Sequence, residues 1–371
     1  MKRVYQNLAL LIVSILISWA GIEVSLRIWG PDVLALGNQY VFYRFDPVLG
    51  WANLPNSRGR FSRIEFSHQV QINSLGMRDR EIAEKRDGAL RVAFLGDSFT
   101  WGVGAAYGER FTEVLGTLNP RLEVLNFGVS GYAPIQYLLQ LDQVLALEPD
   151  YVVVVFCLGN DLTDNVQFNP YNHPKPYAKL SADGSKLEIA GYPLPESKNV
   201  GPELIGAASV SRVVGMIKFV LDETRRKRAE VEAIGAQMAQ LIDERIVYSP
   251  EDRRTPEQQQ KVAYLYKVNE LLLEAIRDRV EAGIGSGRFA VLLAPTKYEY
   301  GIARQQSPDA DPNAVASGVL RSLAHLGIPA VDPRTVIQPA DFWKGDAHWR
   351  PSGHRKIGEL LSKYFASIRI E

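Results

Sequence analysis

Three side chains in this chain are of the types that acyl transfer requires. Ser98 stands in Gly96-Asp97-Ser98, directly after the apolar run Val92-Ala93-Phe94-Leu95. Such a run reads as a strand covered on both faces. A serine at its carboxyl end sits where open α/β sheets hold their ligands. Its hydroxyl is a weak nucleophile unless a base takes the proton, and histidine titrates closest to neutrality. Of the five histidines, His348 lies in Asp346-Ala347-His348-Trp349, with a carboxylate two residues before it. Asp346 could accept the second imidazole N–H and fix the tautomer. His354 is the rival base, but Pro351-Ser352-Gly353-His354-Arg355 reads as the start of a last helix. His68, His173 and His325 fall in an accessory region, a variable loop and a helix end.

Two further segments join these: Asn126-Phe127-Gly128-Val129-Ser130-Gly131 and Gly159-Asn160-Asp161. With Gly96-Asp97-Ser98 and Asp346-Ala347-His348-Trp349 they make four blocks, and in this order they resemble the SGNH/GDSL hydrolase superfamily. The resemblance covers residue 91 to the C-terminus. It implies a flavodoxin-like three-layer α/β/α fold with a parallel sheet and serine-dependent ester chemistry. Ser98, His348 and Asp346 would be the catalytic residues. The oxyanion hole would combine the backbone N–H groups of Ser98 and Gly131 with the Asn160 amide. The superfamily usually places aspartate three residues before histidine, a position held here by Gly345. Asp-x-His-Trp is similar to the variant in proteins that acylate exported polysaccharides.

The elements that would position these residues follow from pattern. Strands are predicted at residues 92–95, 122–126, 151–158, 289–294 and 329–332, with helical stretches between them, such as 134–147. This alternation predicts a parallel sheet with helices on both faces. Residues 31–90 read as an accessory β-containing region, with a turn ending in Trp51, a hairpin over 61–72 and a turn at 73–78. Residues 165–285 interrupt the sheet pattern as a helical insertion that could cover the site. Within it, 169–198 reads as an extended loop and 207–246 as a long helix. A helix over 256–282 has Thr255 as N-cap, Pro256 at its first position and Gln258 placed for a capping box. Arg225-Arg226-Lys227-Arg228 reads as a solvated face, with anionic lipid or polysaccharide as the sharper alternative.

Composition narrows the class. With 46% hydrophobic residues in 371, a sizeable core is available. Zero formal net charge argues against a nucleic-acid binder that relies on bulk positive charge. Cys157 is the only cysteine, so an intrachain disulfide and a multi-cysteine metal site are both excluded. No His-Glu-x-x-His and no full Gly-x-Gly-x-x-Gly is present, and neither metal nor cofactor is expected.

Residues 1–30 read as a membrane segment. Lys2 and Arg3 precede an apolar run over 8–22, and a snorkelling Arg27 extends it toward spanning length. The basic flank predicts a cytoplasmic N-terminus with the rest outside, in the periplasm. Ser18-Trp19-Ala20 also fits a signal-peptide cleavage site, but an uncleaved anchor is the favoured reading. Together these observations predict an extracytoplasmic serine esterase that removes short acyl groups, acetyl first among them, from a cell-envelope or exported glycan. An O-acyltransferase with the same triad and a non-catalytic glycan-binding protein are the alternatives.

Overall fold

The computed structural model describes residues 2–29, 42–63, 65–196, 211–214, 216–217, 246–301 and 310–368. Helix α1 (Lys2–Trp29) buries none of its residues and is long and apolar enough to cross a membrane. At 28 residues it is about 42 Å long, against a hydrocarbon core of about 30 Å. Glu23 breaks its apolar character for a local reason. The carboxylate accepts from Ser211 Oγ (2.8 Å) and from the backbone N–H groups of Arg212 and Val213 (both 3.0 Å). Those are first-turn donors that a helix starting there cannot satisfy itself.

Two small antiparallel pairs follow. Strand β1 (Tyr43–Asp46) pairs with β2 (Gly50–Asn53), and β3 (Arg58–Ser62) with β4 (Ser67–Gln71). The second pair is a hairpin over residues 58–71, which begins three residues before the one expected over 61–72. The main sheet has five parallel strands: β5 (Leu90–Gly96), β6 (Leu122–Gly128), β7 (Tyr151–Cys157), β10 (Phe289–Ala294) and β11 (Ala330–Val331). All five predicted strands are present. Their spatial order is β11-β10-β7-β5-β6. Counted in chain order, that is 5-4-3-1-2, the flavodoxin-like order read from the other edge. The order reverses between β5 and β7, which makes their carboxyl ends the topological switch point.

Both faces of the sheet are covered, and the strand period of two sorts the core. Ala93, Leu95, Val152, Val154, Phe156, Val291 and Leu293 share one apolar cluster with Leu141 and Val144 of α4 (Pro134–Leu145), Leu273 and Ile276 of α6 (Pro256–Ile284) and Val319 of α7 (Ala314–His325). Val92, Phe94, Val153, Val155, Ala290 and Leu292 meet Phe111 and Leu115 of α3 (Phe111–Leu118), and Ile357, Leu361 and Phe365 of α8 (Pro351–Ser367). Each fully buried Val, Leu or Phe stabilises the fold by about 1.5–3 kcal/mol. The two short helices α2 (Ser98–Trp101) and α5 (Asp161–Asp164) sit at strand ends.

One expectation for the insertion needs correction. Residues 169–198 are not a plain extended loop, because β8 (Tyr177–Leu180) and β9 (Leu187–Ala190) form a hairpin there. Its turn is set by Asp183, which accepts from Ser181 Oγ (2.5 Å) and the Ser185 N–H (3.1 Å). Of the long helix read over 207–246, residues 212–214 and 216–217 are helical. Most of that stretch, with the Arg225–Arg228 run, lies outside the described residues. By contrast, α6 begins as its sequence predicts: the Gln258 N–H donates to Thr255 Oγ1 and the Thr255 N–H to Gln258 Oε1.

Candidate active site

Ser98 is the first residue of α2, two positions after β5 ends. Asp97 caps that turn, its Oδ1 accepting the Phe99 N–H at 2.9 Å. The first N–H groups of a helix lack intrahelical acceptors, which leaves the Ser98 N–H for another partner. The turn is clamped from behind. Arg78, 2% exposed, donates to the carbonyls of Trp101 (2.8 Å), Gly102 (2.7 Å) and Ala105 (2.8 Å). Gly128, at the end of β6, lies so close that a Cβ there would stand 2.2 Å from the Trp101 nitrogen.

The His348 loop reaches Ser98 from the far end of the chain. His348 Nε2 lies 2.7 Å from Ser98 Oγ, and Nδ1 lies 2.5 Å from Asp346 Oδ1. The same Oδ1 accepts the His348 backbone N–H at 2.9 Å. A tight turn therefore brings carboxylate and imidazole together over a two-residue separation. Burial pushes the Asp346 carboxyl up, but the hydrogen bond and charge of His348, its backbone N–H and Arg63 hold it down to about 2. With Asp346 ionised, Nδ1 carries the proton and Nε2 accepts from the serine. Two supports fix the loop. Glu65 accepts the N–H groups of Lys344 (3.0 Å) and Gly345 (2.5 Å). Trp349 is fully buried and donates its indole N–H to the Pro295 carbonyl at 3.0 Å.

Ser98, Gly131, Asn160, Asp346 and His348 line one cavity of about 780 Å³. Gly131 has φ +78°, which L side chains rarely adopt, and a Cβ there would also meet the Trp51 ring at 3.1 Å. Asn160 lies three residues beyond the β7 end, in the N-cap position of α5. Behind them, Asp97 and Asp161 are buried, and burial pushes both carboxyls up. For Asp161 the neighbouring Asp97 charge adds to the effect of burial. Its Oδ2 accepts the Cys157 N–H at 2.8 Å, so it braces the strand end.

The rival histidines lie elsewhere or do other work. His354 is 1% exposed, accepts the Phe111 N–H on Nδ1 (3.3 Å) and stacks on the Phe111 ring. Burial lowers its pKa to about 3. His68 is buried against the Phe61 and Phe66 rings. His325 faces Glu270 on the surface. His173 does line the cavity, beside Trp51. The sequence did not single out the aromatic walls Tyr43, Phe61, Tyr171 and Tyr298. They come from three separate segments without shared periodicity. Of the aromatic lining, only Trp51 was marked, by the turn it ends.

The chain matches the GDSL-like lipase/acylhydrolase family over residues 94–356. No curated protein matches it. Among solved structures it is similar to an aryl esterase from M. smegmatis, with 16% identity, TM-score 0.38 and coverage of 76% of this chain and 100% of that one. A G-D-S-L family lipolytic protein from Veillonella parvula has 11% identity, TM-score 0.37 and coverage of 76% and 100%. Est24, a carbohydrate acetylesterase from Sinorhizobium meliloti, has 12% identity, TM-score 0.37 and coverage of 75% and 99%. With the family's pattern spanning most of the chain, the protein belongs to the GDSL-like lipase/acylhydrolase family.

Proposed function

We propose that the protein is a membrane-anchored serine esterase that removes short acyl groups, acetyl first among them, from a cell-envelope or exported glycan. The observation that carries this reading is the relay from Ser98 Oγ through His348 to Asp346, at 2.7 and 2.5 Å, open to one cavity. Ser98 Oγ attacks the ester carbonyl as His348 Nε2 takes its proton. The oxyanion forms among the Ser98 and Gly131 N–H groups and the Asn160 amide. His348 returns the proton to the leaving alkoxide, leaving acyl-Ser98. Water, deprotonated by His348, then releases the acid and restores the serine. The cavity volume and the aromatic lining by Trp51, Tyr43 and Tyr298 suit a sugar ring bearing the ester. The apolar α1, with Lys2 and Arg3 in its first turn, supports an inner-membrane anchor and an extracytoplasmic catalytic domain.

Acyl transfer is the second reading, supported by the Asp346-Ala347-His348-Trp349 segment and by room in the cavity for an acceptor hydroxyl. Turnover of a small activated acetyl ester tests the shared first half. Ser98→Ala and His348→Ala are expected to lose at least about 10³-fold in kcat, while folded His354→Ala keeps turnover. A glycan acceptor then separates the two readings: free acetate alone means hydrolysis, and acceptor-linked acetyl means transfer. Wild-type turnover retained by Ser98→Ala would reject both.

A further inference from the structure

The insertion's first loop reaches the oxyanion side of the cavity. Tyr171 stands on it in a left-handed backbone conformation, φ 59° and ψ 17°. That is uncommon for a bulky residue and marks a side chain held by what it touches. The residue is 56% exposed and lines the cavity, while its hydroxyl reaches Asp164 of α5. The hydroxyl donates to Asp164 Oδ2 at 2.6 Å. Burial and the Asp164 charge push the phenol pKa well above its usual value, so it stays a donor.

Asn160 joins the same pair. Its Nδ2 lies 3.2 Å from Asp164 Oδ2 and 3.3 Å from the Tyr171 oxygen. Those two acceptors are themselves one hydrogen bond apart, so a single amide N–H can reach both as a three-centre bond. The second amide N–H is left for a substrate oxygen. The Tyr171 ring also flanks the other donor loop: a Cβ on Gly131 would lie 3.5 Å from Tyr171 Cδ2 and Cε2. Buried Lys175 supplies countercharge nearby. Burial lowers its pKa to about 8, and the charges of Asp164 and Asp161 act against that fall.

We propose that Tyr171 and Asp164 are positioning residues of the oxyanion hole, fixing the Asn160 amide while the Tyr171 ring sets the approach of the Gly131 loop. The insertion then completes the catalytic centre as well as walling it. This rests on the reading of Asn160 as an oxyanion donor.

A double-mutant cycle in the full-length protein tests it. The readouts are kcat and KM for a small activated acetyl ester, and the rate at which a fluorophosphonate labels Ser98, since that adduct places an oxygen in the same hole. Tyr171→Phe keeps the ring and removes the hydroxyl. It is expected to lower kcat and the labelling rate together by roughly tenfold, with KM within about twofold and the melting temperature unchanged. Asn160→Ala is expected to lower kcat by about 10²–10³-fold. In the Asn160→Ala background, Tyr171→Phe should change kcat by less than about twofold, because its route of action is already gone. Asp164→Asn should follow Tyr171→Phe. A rise in KM alone would make Tyr171 a plain wall residue and overturn the proposal, as would full additivity with Asn160→Ala. If Ser98→Ala is inactive and Tyr171→Phe matches wild type, this proposal alone falls. If Ser98→Ala keeps turnover, the serine reading and this proposal fall together.

Discussion

At the scale of single residues, one oxygen does two jobs. Asp346 Oδ1 accepts both the backbone and the ring N–H of His348, so the turn that shortens the Asp–His spacing also orients the imidazole. The residue types were legible in the sequence, and so was the departure from three-residue spacing. How two residues suffice was not legible, because it depends on a backbone N–H that no spacing rule counts. Asp346→Asn should keep the loop but favour the wrong tautomer, lowering kcat by roughly 10²–10⁴-fold. Because the native Asp346 pKa is about 2, below its ordinary value of 3.8, its contribution to stability is present above pH 3.8 and fades as pH falls toward 2. A profile of kcat/KM against pH should therefore show no limb from Asp346 above about pH 4. A limb near pH 4 that moves in Asp346→Asn would contradict this. Tyr171 and Asp164 escaped the sequence reading because they become neighbours of Ser98 only through folding.

At the scale of elements, the strand runs were legible because residues buried on both faces leave an unbroken apolar signature. The hairpin at Tyr177–Leu180 and Leu187–Ala190 was missed although Asp183-Gly184 marked its turn, because short half-exposed strands carry little apolar pattern. The site depends on two close packings between elements. Gly128→Ala would drive a Cβ into the backbone at Trp101, so it should cost about 1–3 kcal/mol and slow Ser98 labelling through the displaced turn. His354 ties α8 to the start of α3 as a buried neutral imidazole. Its native pKa of about 3 lies below the ordinary 6.5, so unfolding takes up a proton between those values. The stability it provides is complete above pH 6.5 and is lost as pH falls toward 3. The melting temperature of wild type should then fall more steeply from pH 6.5 to pH 4 than that of His354→Gln. Equal slopes would mean that His354 does not supply this pH dependence. The buried carboxyls of Asp79 and Asp97, both raised by burial, act in the opposite sense but are common to the two proteins.

At the scale of the whole molecule, the chain joins an apolar N-terminal helix to an α/β domain whose cavity opens at the switch point of its sheet. The order of the four blocks was enough to foresee that arrangement, since parallel strands joined by crossovers deliver their carboxyl ends to one edge. The contribution of residues 42–72 was less legible. The sequence marked them as a joining layer, whereas they also line the cavity with Tyr43, Trp51, Phe61 and Arg63. If α1 is an uncleaved anchor with its N-terminus inside, protease added to spheroplasts should digest the α/β domain and spare an N-terminal tag, and a protected domain would reverse the orientation. The central claim is that Ser98 becomes acylated. Its most direct test is acid-quenched peptide mass spectrometry after brief exposure of the full-length protein to an activated acetyl ester. The expected result is one acetyl group on the peptide carrying Ser98, absent in Ser98→Ala and slow to form in His348→Ala. Turnover without any acetyl on that peptide, or acetyl that persists in Ser98→Ala, would contradict the claim.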